Sequence, residues 1–333
     1  MKKSLGFLLR LVVSLAALGG LIYLLRGKLD EALLIISKGL QWPWFLAAIV
    51  AYFVALAFIS WRLKLIFHVQ KVKVSFPQTF YLSLLGLFFT LFFPSAMGGD
   101  VAKGYFAYQY SGKKLGSLTA VILDRLLGFV TIVLFAVLIF AGYSHTIETP
   151  FIKRSLYGAV ALLIFGIFFF AHKGFAQKFR VFLSLIPRAE WRQNISDLYH
   201  AIRNLQHHPK ILWGALALSI AAQVVFFTDG FFLARSLGIG ISLWPFFILM
   251  PLIAFVSMAP SLSGLGVREA GFVFFFKPFM SEEKAFALSL VYDFIFYGSA
   301  FFGGLVFAFK GGLRKGVIHD LEHAGELQEV GHD

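Results

Sequence analysis

Eight charged residues interrupt stretches that otherwise carry almost no charge: Asp100, Lys103, Asp124, Arg125, Asp229, Arg268, Glu269 and Asp293. In an apolar setting such groups do two kinds of chemistry. Lysine and arginine donate hydrogen bonds to phosphate, arginine through a planar fork, while aspartate and glutamate balance that charge or carry a proton. A charge at the bilayer centre costs about 2.5–3.5 kcal/mol on insertion scales, so each is expected to be paired, hydrated or functional. Asp100, Lys103, Asp124, Arg125, Arg268 and Glu269 form the candidate site for an anionic lipid headgroup, the cations taking phosphate and the acids serving as counter-charges. Asp229 and Asp293 are candidate protonation sites if a proton accompanies transport. The plainer reading of the same residues is a set of ion pairs joining helices. Both hold at once in a transporter that exchanges partners between states.

The setting of these charges follows from composition. The chain of 333 residues is 59% hydrophobic and 14% charged, with 42 Phe, against roughly 25% charged residues in soluble domains. Its mean hydropathy is +0.80. A soluble protein of this length needs far more surface charge, so a polytopic, all-α membrane protein is expected. Stretches free of Asp, Glu, Lys and Arg fall at 11–25, 39–61, 74–99, 126–147, 155–172, 211–228, 236–267 and 294–309. The N-terminal Met-Lys-Lys and apolar run mimic a signal peptide, but no small-residue cleavage site follows, which predicts a retained first helix. Without cysteine there is no disulfide framework, thiol nucleophile or cysteine-ligated metal.

Basic loops orient the spans. Segment 62–73 carries Arg62, Lys64, Lys71 and Lys73 with no acid, and segment 173–210 carries seven Lys and Arg against Glu190 and Asp197. Both are expected on the cytoplasmic side, as are both termini, in a plasma (inner) membrane. Phe175, Phe179, Phe182, Leu183 and Ile186, set among basic residues, predict an amphipathic helix on the inner leaflet within 173–210. With helices at 115–143, 211–235 and 285–309, parity of the crossings requires 74–112 to make none or two. The simplest solution is a hairpin that enters from the cytoplasm and breaks at Pro94 to Gly99. Segment 236–284 must be a second hairpin, entering from outside. The expected architecture is about six full spans plus two broken re-entrant hairpins.

The two breaks resemble each other. PSAMGGDV at 94–101 and PSLSGLGV at 260–267 share Pro94/Pro260, Ser95/Ser261, Gly98/Gly264 and Val101/Val267. Each is followed by a long helix with an acid inside it, Asp124 or Asp293. Similar units entering from opposite sides make an inverted-topology repeat, with units of about 74–147 and 236–309, an arrangement frequent in transporters. Pro94 and Pro260 can end one half-helix and open the next, and Gly98, Gly99, Gly264 and Gly266 allow positive φ or close backbone approach. A helix N-terminus freed by such a break suits phosphate. Otherwise the same residues only permit tight helix packing.

FFPSAMGGDVAKGYFAY with LTAVILDRLLGF, and APSLSGLGVREAGFVFFF with AFALSLVYDF, resemble the two signature regions of the flippase-like membrane domain of lysylphosphatidylglycerol synthases, the multiple peptide resistance factors. The resemblance covers roughly 5 to 315. It implies translocation of a lipid between leaflets, in the founding group an aminoacylated phosphatidylglycerol, and implies that Asp100, Asp124, Arg125, Arg268 and Glu269 occupy family-typical positions. The synthases add a soluble catalytic domain, whereas this sequence continues into a polar tail, 316–333, with His319, His323 and His332. A single membrane domain over 1–315, without synthesis of the lipid, is therefore expected. The headgroup is left open, a polyprenyl-linked sugar phosphate included.

An enzyme is not expected. The chain has no H-E-x-x-H, G-x-S-x-G or Walker A motif, and Gly264-Leu265-Gly266 lacks the preceding strand of a nucleotide loop. His319, His323 and Glu322 have helical spacing for a metal, but a polar tail of this kind is more often solvated, and no metal or cofactor is expected. The net charge of +13 is accounted for by inner-face loops and anionic lipid rather than nucleic acid. The expected partners are membrane lipids and, in the second reading, a lipid-modifying enzyme recruited by a non-transporting scaffold or regulator of lipid or glycan biosynthesis. Alanine at Arg268 or Asp124 is expected to abolish transport and leave the chain folded, while a scaffold is hurt by changes within 173–210.

Overall fold

A computed structural model describes residues 29–92, 98–143, 157–158, 161, 202–257 and 264–309. The expected first helix, the span at 155–172 apart from three residues, the amphipathic segment before 202, Pro94, Pro260 and the tail 316–333 lie outside the described residues. Among the described residues all regular structure is helical: α1 Leu29–Gly39, α2 Trp42–Val69, α3 Phe76–Phe92, α4 Gly98–Ser111, α5 Lys114–Tyr143, α6 Pro209–Ser236, α7 Trp244–Val256, α8 Val267–Phe276 and α9 Glu282–Phe309. Four are long and apolar enough to cross a membrane: α2, α5 (over Lys114–Phe135), α6 and α9, with mean hydropathies of 2.1, 2.1, 2.0 and 1.6. Phe76–Leu91 of α3 and Trp244–Val256 of α7 are apolar but shorter. The chain is a multi-pass membrane protein.

Exposure is arranged for lipid rather than water. Phe309, Trp213 and Phe294 are 88%, 70% and 68% exposed, while Arg62, Asp124, Asp229, Arg268, Glu269 and Asp293 are buried. Six charges within the helices are buried while several large rings face outward, as expected where the solvent is hydrocarbon.

Helix ends follow local chemistry. Pro209 opens α6, a position where its missing N–H leaves nothing unsatisfied. Ser75 and Gln78 form a reciprocal capping box at the start of α3: the Ser75 N–H donates to Gln78 Oε1 at 2.7 Å and the Gln78 N–H to Ser75 Oγ at 3.4 Å. Past the end of α2, Lys71 adopts φ 57°, and the Val72 N–H donates to the Phe67 carbonyl at 2.8 Å. That left-handed capping turn normally takes glycine.

The described residues fall into two compact units. The first comprises, of these residues, 29–60, 80–103 and 220–309; the second, 61–79, 104–143 and 202–219 with 157, 158 and 161. In the first unit the chain doubles back twice. Gly99, in the first turn of α4, lies directly on the Gly86 carbonyl and Thr90 of α3, and the Lys103 side chain runs over Gly86. Gly264 lies 3.5 Å from the Ser257 carbonyl, and Gly271 of α8 lies 3.8 Å from Ile253 of α7, measured from the position of a Cβ. The glycines at the two breaks differ. Gly264 and Gly266 have φ of 84° and 80°, whereas Gly98 and Gly99 are helical and allow close approach instead.

Helix α9 packs on α1 and α8 and seats Gly303 on the Leu84 carbonyl and Gly304 on the Phe88 ring of α3. Phe307 extends this contact, its ring centroid 5.7 Å from that of Phe89. Small residues at such a crossing let backbones approach closely. Gly303→Val is expected to force α9 from α3 and lower stability by about 1–3 kcal/mol, the usual cost of overpacking, measured by thermal unfolding in detergent.

Of basic segment 62–73, Arg62 through Val69 belong to α2 rather than to a connecting loop. The charge-free stretches likewise clip α5, α6 and α9 at Asp124, Asp229 and Asp293, which lie inside those helices. The helices expected at 115–143, 211–235 and 285–309 agree with the observed bounds within three residues.

Candidate functional site

In the first unit Arg268 and Glu269 occupy the first turn of α8, which follows the positive-φ Gly266. Buried Arg268 forms an ion pair with Asp293 of α9 through Nη2. The same nitrogen is 3.4 Å from the Tyr297 hydroxyl. Three rings of α9 surround the guanidinium carbon, with centroids at 4.7 Å for Phe296, 5.7 Å for Tyr297 and 5.8 Å for Tyr292. Such a cation, half-ringed by aromatic faces, is held by ring quadrupoles and one carboxylate.

That arrangement leaves hydrogen-bonding capacity unused. Arg268 Nε and Glu269 Oε2 are buried without hydrogen-bond partners. Glu269 sits at the third residue of α8, where the helix dipole favours an acid.

Asp229 of α6 is fully buried, and neither carboxylate oxygen has a hydrogen-bond partner. Tyr292 lies within electrostatic reach of Asp229, Arg268 and Asp293, and Tyr52 of α2 within reach of Asp229 and Arg268. The rings form a chain: Tyr52 to Phe226 at 6.2 Å, Phe226 to Tyr292 at 5.9 Å, Tyr292 to Phe272 at 5.3 Å. A buried carboxyl without hydrogen bonds costs about 1–3 kcal/mol in mutational terms, and more if charged. Asp229→Asn is therefore expected to leave stability unchanged or raise it by about 1–3 kcal/mol, read by thermal unfolding. A drop of that size would mean that Asp229 has a stabilising partner.

Asp100 and Lys103 form an i, i+3 pair on α4, Nζ to Oδ1 at 3.3 Å, both half-buried. Asp100 also lies in the first turn of α4, where an acid is favoured by the helix dipole.

In the second unit Asp124 of α5 is clasped by Arg62 of α2, Nε to Oδ1 at 2.6 Å, and Arg62 Nη1 reaches Ser219 Oγ of α6 at 2.6 Å. Gly128, one turn beyond Asp124, leaves room for the guanidinium, which lies 3.4 Å from where a Cβ would stand. Arg125, adjacent in sequence, is half-buried.

Arg268, Glu269 and Asp293 are thus brought together within one unit, with Asp229 linked to them through Tyr292. Asp124 is held by Arg62, a residue the sequence reading counted as a loop charge. Tyr52, Tyr292, Phe296, Tyr297 and Ser219 were also missed. The available signal was helical spacing: Phe296 and Tyr297 lie three and four residues after Asp293 and so share its face. Among the described residues no three His, Asp or Glu side chains converge on a metal site.

A family model described as the lysylphosphatidylglycerol synthase TM region matches residues 7–303. No curated protein and no solved structure matches the chain.

Proposed function

The chain belongs to the lysylphosphatidylglycerol synthase transmembrane-region family, membrane domains associated with lipid handling, and from that premise we propose that it is a lipid translocase. Its substrate class in this reading is an anionic, aminoacylated or polyprenyl-phosphate-linked lipid, and it makes or breaks no covalent bond. The observation that carries the reading is the unused polar capacity around Arg268. One buried cation stands among three buried carboxyl groups, Glu269, Asp293 and Asp229, with Arg268 Nε, Glu269 Oε2 and both Asp229 oxygens free of hydrogen bonds. Fold stability alone gives no reason to keep such groups unsatisfied in an apolar chain. A headgroup supplies what they lack: phosphate oxygens for the guanidinium, and hydroxyl or ammonium hydrogens for the carboxyls.

In this reading the two doubled-back helix pairs, α3–α4 and α7–α8, are the arms of an inverted-topology repeat, and the basic residues at the end of α2 face the cytoplasm, as the positive-inside rule favours. The acyl chains stay in lipid while the headgroup passes along the buried polar residues. Movement is downhill, or coupled to an ion gradient through an acid such as Asp229 or Asp293.

The test is leaflet exchange in proteoliposomes, using fluorescent phosphatidylglycerol, its lysyl ester and a polyprenyl phosphate, with and without a pH gradient. Exchange of at least one lipid well above the protein-free rate is expected, falling at least tenfold in Asp229→Asn. Exchange at the protein-free rate for all three lipids, by folded protein, would overturn the proposal and leave a lipid-binding scaffold as the better account.

A further inference from the structure

Beyond the buried charges, the second unit contains a basic concavity to which no role has yet been given. Lys64, His68, Lys71, Lys73 and Lys113 line a cavity of ≈ 720 Å³ together with Ser75, and no acid lines it among the described residues. That volume lies within the range of ligand pockets, about 300–1,000 Å³. A positive-inside bias explains why lysines are present, but spread-out lysines would satisfy it equally well. Here local structure gathers them.

Three features do the gathering. Lys71 takes the left-handed position of the capping turn after α2, φ 57°, fixed by the Lys71 N–H to His68 carbonyl bond at 3.0 Å and the Val72 N–H to Phe67 carbonyl bond at 2.8 Å. Glycine fills that position without strain, so a lysine there retains its charge at a conformational cost. The capping box at Ser75 pins the start of α3 at the cavity wall, and with it the positive end of a 17-residue helix. Gly116 of α5 lies against the Gln70 carbonyl, 3.1 Å from where its Cβ would stand, which draws the start of α5 and Lys113 to the same turn. Four ammonium groups around one hollow repel one another, and an anion among them relieves that repulsion.

We propose that this concavity is a binding site for a multiply charged phosphate group, a phosphomonoester or diphosphate. The assignment does not depend on whether lipid crosses the membrane. The ligand chemistry has two sources, a lipid headgroup such as that of phosphatidic acid and a soluble phosphate.

The test uses the full chain in phosphatidylcholine nanodiscs titrated calorimetrically with inorganic pyrophosphate, then repeated with phosphatidic acid added to the discs. Saturable 1:1 binding that weakens with salt is expected, reduced about tenfold or more by combined Lys71→Gln, Lys73→Gln and Lys113→Gln and unchanged by combined Lys277→Gln and Lys284→Gln, since charge-assisted bonds to phosphate are the ones removed. Lys71→Gly keeps folding and binding apart: it should raise the thermal midpoint while weakening pyrophosphate severalfold. Loss of pyrophosphate binding in the phosphatidic acid discs identifies a lipid headgroup as the ligand, and persistence identifies a soluble phosphate. Absence of saturable binding, or equal loss in the Lys277/Lys284 control, would overturn the assignment.

Discussion

Replacing Arg62 with methionine should lower stability by about 3–5 kcal/mol, because it strands the Asp124 carboxylate among apolar helices. Arg62 and Asp124 are both buried, and the guanidinium also holds Ser219, so one side chain ties α2, α5 and α6 together. The double replacement, Arg62→Met with Asp124→Leu, removes both charges and should recover most of the loss, as buried pairs exchanged for apolar residues often do. The measurement is a double-mutant cycle from thermal or denaturant unfolding in detergent, with a coupling of about 2 kcal/mol or more expected for a contacting pair. A single variant within about 1 kcal/mol of wild type would show that the pair contributes little. Lipid exchange by the double variant then decides its role. If exchange persists, the clasp is architectural; if it fails in a folded protein, the pair takes part in transport.

Much of the fold was legible in the sequence because a bilayer admits few solutions. A helix must satisfy its own backbone in hydrocarbon, so long apolar runs become helices. The helices expected at 115–143, 211–235 and 285–309 match α5, α6 and α9 within three residues. Counting uncharged residues did less well, since Arg62, Asp124, Asp229 and Asp293 lie within helices. A counting rule treats every charge as an end. A buried charge facing a partner or a polar cluster ends nothing, and pairing across helices is invisible to any local window.

The same limit applies to the site. Arg268, Glu269 and Asp293 stood out as charges out of place, and the structure brings them together. Arg62 looked like an ordinary inner-face cation only because it begins a run with Lys64, Lys71 and Lys73. Its burial distinguishes it from Lys71 and Lys73, which are exposed. Gly98 aligned with Gly264, but Gly98 and Gly99 are helical while Gly264 and Gly266 have positive φ, so a shared Gly need not share a conformation. One pair lets α4 close on α3, and the other turns the chain into α8.

Two variants of Arg268 should separate fold from function. Arg268→Met leaves Asp293, Glu269 and Asp229 without a buried cation and should lower stability by about 3–5 kcal/mol or more. The expectation that alanine at Arg268 or Asp124 leaves the chain folded therefore conflicts with the ion pairs, since either substitution strands a buried partner. Arg268→Lys keeps the charge opposite Asp293 but loses the planar fork and most of the contact with Phe296, Tyr292 and Tyr297. Its stability should fall by only about 1–2 kcal/mol, the size of a desolvated cation–π contribution. Lipid exchange should nevertheless fall at least tenfold, because a point charge cannot hold phosphate bidentately while also neutralising Asp293. Unfolding in detergent and exchange in proteoliposomes, measured on the same preparations, give the two readouts. If the lysine variant exchanges lipid at the wild-type rate, the guanidinium serves only as the partner of Asp293.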